Sequence, residues 1–221
     1  METSSPTVLA FDTSAAHCAV ALLHEGTIIA ARHEEMSKGQ AERLFPLLSE
    51  VLGEGGLDWR DLAAIGVGVG PGNFTGIRIS VAAARGLALS LGVPAIGVTL
   101  LEAMALGTEG PVLVTLDARR EQVYVQSFGY PAESSPAIRH LDEITPDAHG
   151  HAGLTCLGPM AAAIAPRLGA SVASARFAPA TAITRMAVTR FGRPDLRRPA
   201  PLYIRPADAA PMRDAAPAIL P

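Results

Sequence analysis

Charge is scarce in this 221-residue sequence and lysine scarcer still: charged residues make up 18 %, and Lys38 stands alone beside seventeen arginines. A phosphate-loop lysine or a Schiff-base lysine has one candidate position, and no G-x-x-x-x-G-K-[S/T] pattern surrounds it. The two cysteines, Cys18 and Cys156, lie far apart and form no C-x-x-C pair, which removes a disulfide framework and a zinc knuckle and leaves two buried thiols in a reducing compartment. No uninterrupted run of 18 apolar residues occurs, and METSSPTVLAF lacks the basic start of a secretory signal. Neither a membrane span nor export is expected, so the cytoplasm is the expected location. H-E-x-x-H and G-x-S-x-G are missing, and Thr75 and Ser80 have no neighbouring histidine to serve as base. The net charge of -3 excludes a chain that is a basic nucleic-acid binder as a whole.

Apolar residues are plentiful, at 49 %, and the length suffices for a packed core without a staple. The charge is unevenly placed: residues 160–221 hold nine arginines against three aspartates, whereas residues 1–159 carry an acidic excess of nine. Residues 7–11, 18–24 and 27–34 read as a three-stranded meander around a polar turn at Asp12-Thr13-Ser14. Leu44, Leu47, Leu48, Val51 and Leu52 fall at i, i+3, i+4, i+7 and i+8, which predicts a helix over 40–53 with a kink or a late start at Pro46. A strand over 64–69, a helix over 76–91, a strand over 94–98 and a short helix over 99–106 complete an α/β pattern.

The pattern then restarts. VLVTLDARREQVYVQSFG aligns with TVLAFDTSAAHCAVALLHEG, with Asp117 lying 105 residues after Asp12. Duplication of an α/β unit is implied. The expected organisation is an N-terminal subdomain over 1–106, a C-terminal subdomain over 107–193 and a Pro-rich tail over 194–221 in which PLYIR forms a short edge strand. Residues 131–151 read mainly as loop, and 160–169 and 180–191 as helices.

GVGPGNFTGIR, residues 68–78, is the most unusual segment. Its glycines between a strand and a helix suit either a tight turn or an anion or partner contact. The residues at issue are Asp12, Gly70, Pro71, Gly72, Asn73, Phe74, Thr75, Gly76 and Arg78. Asp12 stands where an actin-like ATPase has its first phosphate loop, but no glycine follows before Gly26, and the second loop at Asp117 lacks one too. Asp147, His149 and His151 alternate without a third anchoring ligand and read as a solvated loop. The helix over 76–91 is apolar or small on nearly every side, with Arg78 and Arg85 its only charges, so either it packs on its own sheet alone or a second body covers it as well, as a subunit interface would.

The blocks VLAFDTS, ERLFPLL, GVGPGNFTGIRISVAAARGLAL, GVTLLEAMA, DARREQVY and PLYIRP, in that order between residues 8 and 206, resemble the bacterial tRNA threonylcarbamoyladenosine biosynthesis family TsaB, also called YeaZ. The resemblance implies an actin-like ATPase (ASKHA) fold: two related α/β subdomains, each a mixed sheet with helices. It implies a subunit without catalytic residues or metal of its own, partnered by the paralogue TsaD and the ATPase TsaE, and a homodimer when TsaD is missing. Metal and threonylcarbamoyl-adenylate would sit on TsaD and ATP on TsaE, with tRNA met indirectly through the complex. The family's use of the two long helices, carried onto this chain, gives an expected partner face of Leu44, Leu48, Ile79, Ala82, Ala83, Gly86 and Ser90. The alternatives are an independent glycoprotease-like hydrolase and a degenerate actin-like ATPase.

Overall fold

The computed structural model describes residues 5–129, 134–145 and 153–205. Its first half is a five-stranded sheet formed by β1 (Val8–Asp12), β2 (His17–His24), β3 (Thr27–Glu35), β4 (Ala64–Gly68) and β5 (Ala95–Val98), in the order β3-β2-β1-β4-β5. Between its strands run α1 (Gln40–Glu54) and α2 (Phe74–Leu91), and α3 (Leu100–Ala105) follows β5. The second sheet contains β6 (Val112–Asp117), β7 (Gln122–Phe128), β8 (Ala137–His140), β9 (Thr155–Leu157) and β10 (Ser171–Ala173), with α4 (Ala161–Leu168) and α5 (Pro179–Arg190). Its order, β8-β7-β6-β9-β10, repeats the first strand for strand. The equivalence of Asp12 and Asp117 is thus one of position: each ends the central strand of its sheet, opposite Ala19 and Val123 respectively.

β1 is buried throughout because both faces of its sheet are covered. Leu9 and Phe11 point to the layer of α1 and α2, where they join Leu44, Leu47, Leu48 and Val51 in the main core. Val8 and Ala10 point the other way, towards α5. On that face the sheet carries small residues. A Cβ at Gly66 would press on Ala10 and on Ala187 of α5, and Ala19 and Ala21 pack with Ala180. Small residues on both partners let the helix lie close to the strands, which is why the alanine-rich α5 belongs by packing to the first sheet although it follows the second in sequence.

Helix α1 starts at Gln40 and continues through Pro46, so the proline delays nothing. Arg43 clamps it to β3: its guanidinium donates to both carboxylate oxygens of Glu34, at 2.7 and 2.6 Å, and to both of Glu50, at 2.7 Å each. That guanidinium holds both carboxyls below the usual range. Helix α2 begins earlier than its glycine-rich start suggests, because the Asn73 side chain accepts from the Thr75 and Gly76 amides and caps the first turn. Among the described residues it is the one helix long and apolar enough to cross a membrane by length and composition, with a mean hydropathy of 1.2; its inner face, Gly76, Ile77, Ser80, Val81 and Ala84, is buried.

Two expectations change. PLYIR pairs with no sheet; residues 201–204 run as an irregular strap, with the Leu202 amide donating to the Val69 carbonyl at 2.8 Å. The stretch after 131 contains β8 and a 3-10 turn over Leu141–Glu143, set by a capping box between His140 and Glu143. Asp147, His149 and His151, and the tail beyond Arg205, lie outside the described residues.

Candidate functional site

Two loops meet at the carboxyl end of β1 and β4: the Asp12 turn and the segment 69–76. They are joined backbone to backbone. The Asn73 amide donates to the Ser14 carbonyl at 2.6 Å, and the Thr13 hydroxyl donates to the Gly76 carbonyl at 2.7 Å. The glycines are what permits this approach, since a Cβ at Gly72 would overlap the Ser14 carbonyl and one at Gly76 the Thr13 carbonyl. Gly70 adopts a left-handed φ of 89° before a cis peptide to Pro71. Of the two readings left open by GPGNFTG, close loop packing accounts for these glycines.

Asp12, Thr13 and Ser14 have no exposed surface. One carboxylate oxygen of Asp12 accepts from Nε2 of His17 at 2.7 Å, from the Ser14 hydroxyl at 2.9 Å and from the Ser14 amide at 3.3 Å. The other, Oδ1, is buried without a hydrogen bond among the described residues and lies where a Cβ on Gly68 would stand. Gln40, the first residue of α1, closes the turn from the other side: its amide nitrogen donates to the Ala15 carbonyl at 2.7 Å and lies 3.2 and 3.4 Å from those of His17 and Thr13. An actin-like phosphate loop works through free backbone amides around an exposed anion site. Here the Ser14 amide is turned onto the Asp12 carboxylate and Asp12, Thr13 and Ser14 are sealed in, so these residues do not fit a nucleotide phosphate. The second loop differs. Asp117 is exposed and accepts from the Arg119 amide at 2.7 Å, and Arg119, Arg120 and Glu121 all have left-handed φ, between 50° and 62°. Arg205 braces that turn, donating to the Ala118 carbonyl and to Gln122.

Nucleophilic chemistry has no arrangement here either. The Ser14 hydroxyl is hydrogen-bonded to the carboxylate rather than to the imidazole, and all three groups of Asp12, Ser14 and His17 are buried; a serine nucleophile needs the histidine between itself and the acid, and access to substrate. Among the described residues no cluster of three or more His, Cys, Asp or Glu side chains is placed to hold a metal. Burial pushes the Cys18 thiol up to about 11, with Glu34 adding to it, and burial raises Cys156 as well.

The remaining candidates separate by face. Leu44 and Leu48, expected at a partner surface, are 1 % and 0 % exposed and belong to the chain's own core, because the apolar stripe of α1 is the one that covers β1. The exposed apolar group of α1 is its neighbour Phe45, 47 % exposed. Ile79 and Ala83 are half-buried against the core, whereas Ala82, Gly86 and Ser90 face outward with Leu89, which is 86 % exposed. At the start of α2 the Arg78 guanidinium lies 3.7 Å from the ring centre of Phe74 and donates to the Tyr203 hydroxyl at 2.8 Å. Phe74 and Tyr203 are both half-exposed. The tie to Tyr203 spans 125 residues, and the only sequence signal for it was the isolated PLYIR block.

Comparison with known proteins places this geometry. The model of the family described as "TsaD: tRNA N6-adenosine threonylcarbamoyltransferase" matches residues 27–162. The tRNA threonylcarbamoyladenosine biosynthesis protein TsaB of Escherichia coli is 38 % identical over 122 residues, covering 53 % of this chain and 52 % of that one, so the match spans about half the length of that relative. An uncharacterized protein of Mycobacterium tuberculosis is 33 % identical over 93 % of this chain and 95 % of its own. The solved structure of YeaZ from Pseudomonas aeruginosa superposes with a TM-score of 0.75 at 27 % identity, covering 90 % of this chain and 99 % of that one. The fold is the actin-like one, two related mixed sheets with helices. By sequence and by architecture, this chain belongs to the TsaB/YeaZ family.

Proposed function

We propose that the chain serves tRNA threonylcarbamoyladenosine biosynthesis as a noncatalytic cytoplasmic subunit that docks the catalytic paralogue TsaD through the outer face of α2 and the adjoining Phe45 of α1, with the ATPase TsaE joining the assembly. In this reading TsaD holds the metal and the threonylcarbamoyl donor, TsaE holds ATP, and a second copy of this chain occupies the same face when TsaD is missing.

The observation that carries the reading is Gly86. A glycine inside a helix costs about 1 kcal/mol relative to alanine. Among the described residues nothing repays it, since a Cβ there would meet no atom within 4 Å. The residue makes sense if another helix lies against it. Ala82 and Ser90, one turn on either side, keep the same strip narrow, and Leu89 beside them offers an exposed apolar anchor. The sealed Asp12 turn supports the absence of nucleotide chemistry in this subunit. The hydrolase alternative has no support from the geometry of Asp12, Ser14 and His17.

Co-purification with TsaD is the test. Wild-type chain is expected to retain TsaD and to restore tRNA threonylcarbamoylation in a mixture of TsaD, TsaE and tRNA, whereas Ala82→Arg and Gly86→Arg, which point outward and should fold normally, lose both. If these variants still bound TsaD and restored full modification, the assignment of the face would be wrong.

A further inference from the structure

Beyond α5 the chain runs back along the edge of the first sheet as the segment RPDLRRPAP, residues 193–201. On one side of it lies a cavity of about 480 Å³ walled by Arg190, Arg193, Arg197 and Arg198 against Gly97 of β5. On the other side a second cavity, of about 500 Å³, is lined by Arg197 and Arg198 together with Arg85 of α2. The walls contain two acids, Glu102 and Asp195. Glu102 is neutralised by Arg190, whose guanidinium reaches it at 2.6 Å and also donates to the Gly97 carbonyl at 2.6 Å. Arg85, Arg193, Arg197 and Arg198 are exposed, and among the described residues none has a side-chain hydrogen bond, ion pair or ring contact. Four unspent guanidinium groups therefore face one carboxylate, Asp195, in a protein whose first 159 residues carry an acidic excess of nine.

Such an arrangement is costly unless an anion completes it, because gathered like charges repel and lower stability. The charge is also held in place. Pro194 and Pro199 flank the run and fix the local backbone torsion, Pro199 is buried, and the strap is tied down at the Leu202 amide. The groups are all arginine, whose planar fork matches phosphate oxygens in pairs. Two cavities divided by a cationic ridge suit a chain of phosphates passing over the ridge better than a single small anion.

We propose that the strap 193–198, with Arg85 beside it, is a docking surface for the phosphodiester backbone of RNA. This rests on the reading that the chain works in tRNA modification, and it deepens that reading by giving the subunit a direct share of the tRNA. The second cavity also includes Gly86 and Leu89 of the face assigned to TsaD, so RNA held on the strap and TsaD docked on α2 meet along that edge and share it.

Fluorescence anisotropy with an unmodified tRNA transcript, titrated with the full chain between about 50 and 200 mM salt, tests the proposal. Wild type is expected to bind with a clear salt slope. The triple variant Arg193→Glu, Arg197→Glu and Arg198→Glu should bind at least about tenfold more weakly, with a slope shallower by about 2–3, as loss of three phosphate contacts requires. Arg60→Glu, exposed but lining neither cavity, should match wild type. If circular dichroism showed the triple variant unfolded, the Arg→Gln triple variant would be read instead, with the same reduction in slope. Undetectable binding by wild type, or unchanged affinity and slope in the folded variant, overturns the proposal. Loss of TsaD co-purification with intact tRNA binding also overturns it and makes the strap a protein contact. Should wild type bind tRNA through the strap but fail to retain TsaD, the docking surface stands and the subunit reading fails.

Discussion

Gly76 and Gly86 sit ten residues apart on one helix and are glycines for opposite reasons. Gly76 is required from within, by the Thr13 carbonyl that occupies the place of its Cβ. Gly76→Ala must push two backbones apart, and overpacking of that kind costs about 3 kcal/mol, which in a chain of this length lowers the melting temperature by roughly 6–12 °C in a thermal scan. Cys18 gives a pH signature at the same scale. Its thiol is pushed up to about 11 in the folded state from an ordinary 9.0, chiefly by burial. The folded form thus gains most from this group below about pH 9 and loses that gain progressively as pH rises towards about 11. Urea unfolding between those values should show the decline, and Cys18→Ala should flatten it. Little of this was legible beforehand. The sequence marks GPGNFTG as unusual but not which atoms approach it, and Gln40 and His17, the residues that seal Asp12, carry no motif at all.

Helices show where pattern reading succeeds and where it stops. The i, i+3, i+4 spacing in α1 identified its apolar stripe, and that stripe is buried as expected. The same spacing does not say what covers the stripe, and Leu44 and Leu48 turned out to serve the chain's own sheet while Phe45 faces out. In α2 the outward strip is visible only after the inner face, Gly76, Ile77, Ser80, Val81 and Ala84, has been assigned. Its role is separable from folding. Gly86→Ala should stabilise the isolated chain by about 0.5–1 kcal/mol in urea denaturation, because helix propensity improves and no atom is displaced. On the proposed assignment of this face, the same change should weaken TsaD retention, since an added methyl group would stand between the two helices. A variant that gains stability while losing its partner is not expected of a residue that matters only to its own fold.

Across the whole molecule, the duplication announced by Asp12 and Asp117 is realised as two sheets with one strand order. What the repeat did not foretell is the return of α5 to the first sheet, because its alanines give only a weak apolar stripe and the complementary small residues, Ala10, Ala21 and Gly66, lie far off in sequence. A fragment of residues 1–106 contains every strand of the first sheet and still lacks the cover of one face. It should be recovered as aggregate, with dye-accessible apolar surface, under conditions in which residues 1–193 stay dispersed in size-exclusion chromatography.

The path of α5 also sets an order in time. The last strand of the first sheet ends at Val98, and the helix that closes it ends at Arg190. At about 5–20 residues per second that interval takes roughly 5–20 s, during which one apolar face of the nascent sheet stands open outside the ribosome while the second half is still being made. Codon choice and chaperone access between those two points therefore bear directly on how much chain reaches the folded state, and a slow stretch placed there would act on yield without altering a single residue.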